Sequence, residues 1–473
     1  MACVAFLIGI SLAQIRGMND PGIWLLAAVP LVFTARKRTW WVLAWLLLFS
    51  ISFGWWRGTA YMLKEAEYQD LFGQKTELLV RAKEDATYAT NKQLSFTAGD
   101  VTLAASGQRL VGTIVVSGFG ENAVFQGDEV RVVGKLFPSR GANSARISYA
   151  QLDVLAHHNS WVAELRRRFA AGMQSALPEP AASFAMGLLI GQRTTLPDEV
   201  KQNLLMVGLT HIIAVSGYNL TIILKASNNK LGKRSKRQAL LLSVVLIGTF
   251  LLFTGSSASI VRASVISLLG LIAGYYGRSF KPMVLILLAA AITGFANPFY
   301  VWGDASWYLS FLAFYGVLVL APQIQRRLAQ RWTDSLLFSV ALESLCAELV
   351  TIPFVLHTFG QMSFVGLIAN VLVVALIPLA MLLACIAGLA GMLMPAIAGW
   401  FAWPASILLT YMLDTANLLS RVPHGFANNI NVPVWQMLVL YAVIALISSV
   451  LWLKNTQKTG IITDRSEYQL KGA

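Results

Sequence analysis

Apolar residues fall in long blocks at both ends of this chain and in short β-rich runs between them. Three blocks come first, at roughly 3–16, 21–35 and 39–61, the first two shorter than the roughly 20 residues of an untilted membrane span. From Lys64 to Leu155 the runs become short: Leu78-Leu79-Val80, Leu110 to Val116, and Glu129 to Val133. Gly118-Phe119-Gly120 and Gly141-Ala142-Asn143 punctuate them, so this stretch predicts a small all-β domain inserted after the third block. Trp161, Leu165, Phe169 and Met173 then recur every fourth residue, the stripe of an amphipathic helix. About eight further apolar segments follow from residue 181. Asp414, Asn417 and Arg421 interrupt the one at Trp400 to Val422, which is therefore expected partly in the membrane interface. A last span runs from Val434 to Leu453.

The chain thus divides into N-terminal spans (1–63), a β domain (64–155), an interfacial helix (156–180), a helical membrane core (181–454) and a basic tail (455–473). Composition narrows the class. Hydrophobic residues make up 56% and charged residues 13%, well below the roughly 25% charged of soluble domains. A soluble chain of 473 residues could not hide so much apolar surface, whereas lipid solvates it. The fold class expected is membrane all-α: a polytopic helical bundle with broken helices plus a small extracytoplasmic β domain, of a size that suits an OB-type barrel.

Charge sets the orientation. Lys and Arg number 37 against 23 Asp and Glu, a net of +14, as expected of cytoplasmic loops or of a polyanionic partner. Arg36-Lys37-Arg38, Lys225 to Arg237, Arg278 with Lys281, and Gln323 to Arg331 are the basic loops, and alternating spans place them all on the cytoplasmic side. The β domain then lies outside. Arg166-Arg167-Arg168 spread around the amphipathic helix, to meet either the headgroups of membrane lipid or the phosphates of a polyanion. Arg193 is a further phosphate-contacting candidate. Cys3, Cys346 and Cys385 all lie in apolar runs, which supports no disulfide framework, no metal site and no cofactor. The start, Met1-Ala2-Cys3-Val4, lacks a basic stretch and reads as a retained span.

Polar residues at membrane depth mark the candidate path. Gly208 and Ser216-Gly217 break an apolar helix that also carries His211, Tyr218 and Asn219. Such a helix is tolerated only against protein or a water-filled cavity. Arg262 sits inside the apolar stretch Ile260 to Ala273 and needs an acid, carbonyls or a phosphate; Asp304, Glu343 and Glu348 are its candidate acids. Glu343 and Glu348 are five residues apart and point in different directions, so they are ion-pair partners or separate proton carriers. Pro353, Asn370 and Pro378 suggest helix kinks. A proton-coupled transporter of a small anionic solute would use similar residues, but no inverted repeat accompanies them. A Ser–His hydrolase built on Ser216 has no acid–base geometry to support it, His211 being off its face and His357 expected at an interface.

Gly208-Leu209-Thr210-His211-Ile212-Ile213-Ala214-Val215-Ser216-Gly217 resembles the signature that opens the membrane core of the ComEC competence-protein family. The likeness continues through Ser259-Ile260-Val261-Arg262-Ala263, Asp304 to Phe311 with Ser310, Thr351-Ile352-Pro353, and Ala369-Asn370 with Pro378. Upstream, Gly127 to Leu136 resembles the closing strands of that family's extracytoplasmic OB-like domain. The resemblance implies a bacterial inner-membrane channel that takes up single-stranded DNA during natural transformation. It also implies partners: a separate nuclease, a DNA-receptor protein, and a cytoplasmic helicase or ATPase. His211, Ser216, Gly217, Tyr218, Asn219, Arg262, Asp304, Ser310, Glu348 and Asn370 would line the path, with no catalytic residue among them. Two departures stand out. Tyr218-Asn219 replace a second histidine common after Ser-Gly, and no His-x-His-x-Asp-His pattern of a metallo-β-lactamase domain is present, so no nuclease activity is expected.

Overall fold

Small residues let the first two helices meet backbone to backbone. In a computed structural model, which describes residues 1–17, 40–88, 93–121, 123–139, 143–157, 161–191, 196–213, 236–254, 258–278, 281–328 and 336–470, these are α1 (Ala2–Ile15) and α2 (Trp40–Glu65). A Cβ on Gly9 would strike the Ile51 carbonyl and one on Gly54 the Phe6 carbonyl, so nothing larger than glycine permits this approach. The second apolar block, 21–35, lies outside the described residues.

The β domain follows as β1 (Lys75–Ala82), β2 (Thr87–Tyr88), β3 (Leu94–Leu103), β4 (Ile114–Phe119), β5 (Glu129–Pro138) and β6 (Ala145–Ala156). The sheet order is β1-β5-β6-β4-β3-β2, and a further β1–β3 pairing closes five of the strands into a ring. Every pairing in that ring is antiparallel except β4 with β6. Closure leaves no edge within the ring and turns alternate residues inward. Leu78, Val80, Val130, Val132, Ile147 and Leu152 fill the interior, all at most 3% exposed, each contributing about 1.5–3 kcal/mol by burial. The expected run Leu110 to Val116 becomes a strand only from Ile114, because Gly112 adopts a positive φ of 104°.

Helices α3 (Trp161–Ala176), α4 (Ala181–Ile190), α5 (Asp198–Met206) and α6 (Thr210–Ile213) lead into the core. After them come α7 (Lys236–Thr254), α8 (Ala258–Tyr275), α9 (Pro282–Ala296) and α10 (Phe299–Gly303). The helix α11 (Ala305–Gln325) passes through a π-helical turn at Gly316–Leu320. Then follow α12 (Leu336–Phe359), β7 (Met362–Ser363), α13 (Gly366–Leu393) with a 3₁₀ break at Val374–Leu376, α14 (Ala398–Ser420), β8 (Phe426–Ala427) and α15 (Val434–Leu470). Among the described residues, five helices are long and apolar enough to cross a membrane: Ala305–Gln325, Phe338–Phe359, Gly366–Leu393, Pro395–Ser420 and Val434–Lys454. The chain is a multi-pass membrane protein.

Two expectations change. The α3 stripe is covered by protein over its inner half: Phe169 and Met173 are buried against Gly388, and Gly172 meets Gly391 backbone to backbone. Leu165 is partly exposed, and Trp161, 75% exposed, is left to the outside. The segment at Trp400 to Val422 lies almost wholly in one continuous helix, Ala398–Ser420, that is long and apolar enough to cross a membrane. Asn417 and Ser420 serve helix packing, since Asn203 of α5 donates to Asn417 and Ser420 donates to Asn203, whereas Asp414 and Arg421 are exposed. The kinks expected from proline appear differently at the two sites. Pro353 lies inside α12, whereas Pro378 opens the helical segment just after the 3₁₀ break.

Candidate functional site

A cavity of about 3000 Å³ runs through the helical core. Its wall along α11 begins at Asp304 and Ser306, passes Ser310, and reaches Gln323 and Arg326. At 1.5 Å per residue that face is about 30 Å long, the thickness of a bilayer's hydrocarbon. A second wall follows α12 at helical spacing: Val340, Glu343, Ala347, Thr351 and Val355. At one end the cavity reaches the β domain through Lys83, Asp85 and Gln126. That end is held by Arg166, which donates to Gln126 at 2.6 Å and pairs with Asp85 at 3.1 Å.

Arg262 is the charge at the heart of this space. It lies on α8, is 1% exposed, and lines the cavity. Its Nη2 donates to the Ser306 carbonyl at 3.0 Å and to the Ser306 hydroxyl at 2.8 Å. Its Nε and Nη1 have no hydrogen-bond partner. Among the described residues no carboxylate comes within 4 Å of it, so the expected ion pair with Asp304, Glu343 or Glu348 does not form. Asp304 instead caps α11, accepting from the Ser306 backbone N–H at 2.9 Å. An arginine held this way keeps two buried nitrogens with unmet N–H groups, each able to donate to an oxyanion.

The other anticipated residues divide. His211, Ser310, Glu348 and Asn370 line the same cavity as Arg262 and Asp304. His211 has accessible surface there, and its Nδ1 lies 3.1 Å from the Gly208 carbonyl. Ser216, Gly217, Tyr218, Asn219 and Arg193 lie outside the described residues. Arg167 and Arg168 both engage Glu164, at 3.2 and 2.7 Å, and those guanidiniums, Arg168 first, hold the Glu164 carboxyl below its ordinary value. His357 lies 2.8 Å from the Val432 carbonyl, a contact with the loop before α15. Reading the sequence missed Ser306 and Ser363, because hydroxyls within apolar helices and turns carry no charge to single them out.

A family model described as competence protein matches residues 188–454, more than half of the chain. The chain belongs to the competence protein family. The match covers α5 to α15, the helices that enclose the cavity. The competence protein is also 24% identical over 247 residues to ComE operon protein 3 of Bacillus subtilis (strain 168). That alignment takes in 51% of this chain and spans only 31% of the relative's length. No solved structure matches this competence protein.

Proposed function

We propose that this competence protein is an inner-membrane channel that passes DNA, as a single strand, from the outer face to the cytoplasm. The observation that carries the reading is the bilayer-long cavity whose wall holds a buried arginine with two unmet donors. A polyanion crossing lipid needs a wet path without negative walls, since each phosphate is costly in hydrocarbon. Hydroxyls, glycines, Arg262 and Arg326 line much of this wall, and the acids on it, Asp304, Glu343 and Glu348, are separated along α11 and α12. The β domain is read as an OB-type barrel on the extracytoplasmic side. Its closed five-strand ring with a single parallel pair supports that assignment, as does its position after α2, whose N-terminus follows Arg36-Lys37-Arg38. The chain acts as a conduit and not as a nuclease, with a separate nuclease, a DNA receptor and a cytoplasmic motor as partners.

The test uses Ser310, which lines the cavity partway along α11. With Cys3, Cys346 and Cys385 replaced, Ser310→Cys should react with a membrane-impermeant thiol reagent, and labelling should stop uptake of labelled DNA. Ser310→Trp should abolish uptake at normal protein level. An unlabelled Ser310→Cys together with wild-type uptake by Ser310→Trp would remove the cavity from the path.

A further inference from the structure

Besides Arg262, a second group of cavity-facing polar atoms lacks partners. Glu348 Oε2, Ser363 Oγ and Asn370 Oδ1 are all buried without a hydrogen bond. They come from three places in the chain: the middle of α12, β7 after the end of α12, and the second turn of α13. All three residues line the cavity, and Asn370 is 8% exposed.

Gly366 brings them together. A Cβ placed on it would lie 3.0 Å from Glu348 Oε1 and 3.5 Å from Ser363 Oγ, so carboxylate and hydroxyl bracket one point above its backbone. Asn370 follows four residues on, one turn along the same helix face. Gly208 closes the opposite side, where an added Cβ would sit 3.4 Å from Ser363 Cβ and 3.7 Å from Gly366 Cα. Glycine at both positions keeps the space between the oxygens open.

The ligand set specifies its occupant. It offers oxygen alone, with no nitrogen or sulfur donor, which suits a hard cation. Among the described residues no Lys, Arg or His lies within ion-pair distance of Glu348, and the set carries one formal negative charge. One monovalent cation balances it. The chain around it is broken, with Gly360 at φ 62° before β7 and the 3₁₀ turn at Val374–Leu376 after Asn370. Broken helices that turn oxygens inward are how membrane proteins hold sodium near the midplane.

We propose that Glu348, Ser363 and Asn370 form a sodium-ion site in the wall of the cavity. The proposal stands on the cavity alone and does not depend on what passes through it. If DNA does pass, the ion neutralises the one carboxylate of this group, which would otherwise repel phosphates.

The experiment measures equilibrium binding of radioactive ²²Na⁺ to the purified full chain in lipid nanodiscs, in choline chloride over about pH 7 to 9.5, a range that covers ionisation of a buried carboxyl. Saturable binding is expected, reduced at least about tenfold in Glu348→Gln and in Asn370→Val and kept in Glu343→Gln. Gly366→Ala, which leaves every ligand in place, should weaken binding by filling the gap. Asn370→Asp makes the set doubly negative, so it should gain saturable binding of ⁴⁵Ca²⁺, a gain that misfolding cannot produce. Absence of saturable sodium binding in monodisperse wild-type protein would overturn the proposal, as would equal binding in Glu348→Gln and Asn370→Val. Proton uptake by Glu348 with no sodium dependence would overturn it too. DNA uptake is not read in any arm, so failure here leaves the channel reading untouched.

Discussion

Replacing Arg262 by methionine separates a structural arginine from a conducting one by the sign of two effects. Methionine keeps the apolar stem and removes the guanidinium. The fold loses two charge-assisted bonds to Ser306, at 3.0 and 2.8 Å, each contributing about 1.5–3 kcal/mol. It is relieved of an ion with no carboxylate partner, whose desolvation costs several kcal/mol. These terms nearly cancel, so the thermal midpoint should hold or rise. Uptake follows a different balance. On the channel reading, Nε and Nη1, buried and without a protein partner, would donate to a phosphate that reaches this site. Losing that contact should cost about 3 kcal/mol in the rate-limiting crossing, or roughly a hundredfold at 1.4 kcal/mol per tenfold. Arg262→Lys keeps the charge without the planar fork and should lose only about tenfold. The assay is entry of labelled DNA per cell, normalised to immunoblotted protein, beside thermal unfolding of purified protein. Wild-type uptake by Arg262→Met would refute the reasoning. So would a loss of uptake matched by a loss of folded protein.

Three further outcomes are expected. Purified chain with added Zn²⁺ or Mn²⁺ should leave DNA intact; cleavage that co-purifies with the chain and disappears with its removal would contradict the conduit reading. Gly391→Val places a side chain against the Gly172 carbonyl and should lower stability by about 1–3 kcal/mol or more, read as a lower thermal midpoint in detergent; an unchanged midpoint would show that α3 and α13 separate freely. At the end of α2, just before the β domain, burial pushes the Glu65 carboxyl up to about 7. A carboxyl raised in the folded state favours folding fully below its unfolded value, and that stability is lost as pH rises through about 7. Glu65→Gln should therefore raise the thermal midpoint at about pH 8 and not at about pH 4, and a shift of the same size at both would refute it.

Much of this architecture could be read from the chain because bilayers and barrels impose long or alternating patterns. The core spans and the β insertion are of that kind. What stayed hidden needed partners distant in sequence. Strand β6 carries Tyr149 at φ 57° beside a shift in its pairing, and such irregularity blurs the alternation that marks a strand. The inner half of the α3 stripe looks the same whether lipid or Gly388 covers it. Asn417 looked interfacial beside Asp414 and Arg421 because a polar residue that binds Asn203 is indistinguishable in sequence from one that binds water. Arg262 stood out as a charge in an apolar run, yet its partner is a serine, and no charge rule points to a hydroxyl. The Glu348–Ser363–Asn370 group combines three segments that only the fold brings together.

The π turn in α11 holds one residue more than an α-helix of the same height. Such turns amount to one residue inserted into an α-helix, and each residue turns the helix by about 100°. Ser306 and Ser310 before the turn, and Gln323 and Arg326 after it, share the cavity because the turn absorbs that extra residue and keeps the two halves in phase. Deleting any one residue between Gly316 and Leu320 would leave a smooth helix of nearly the same length. Its second half would keep its direction, and Gln323 and Arg326 would stay on the cavity face, because the turn had already absorbed the extra residue. Among descendants of this sequence, this stretch should therefore tolerate the loss of one residue, which an unbroken α-helix would not.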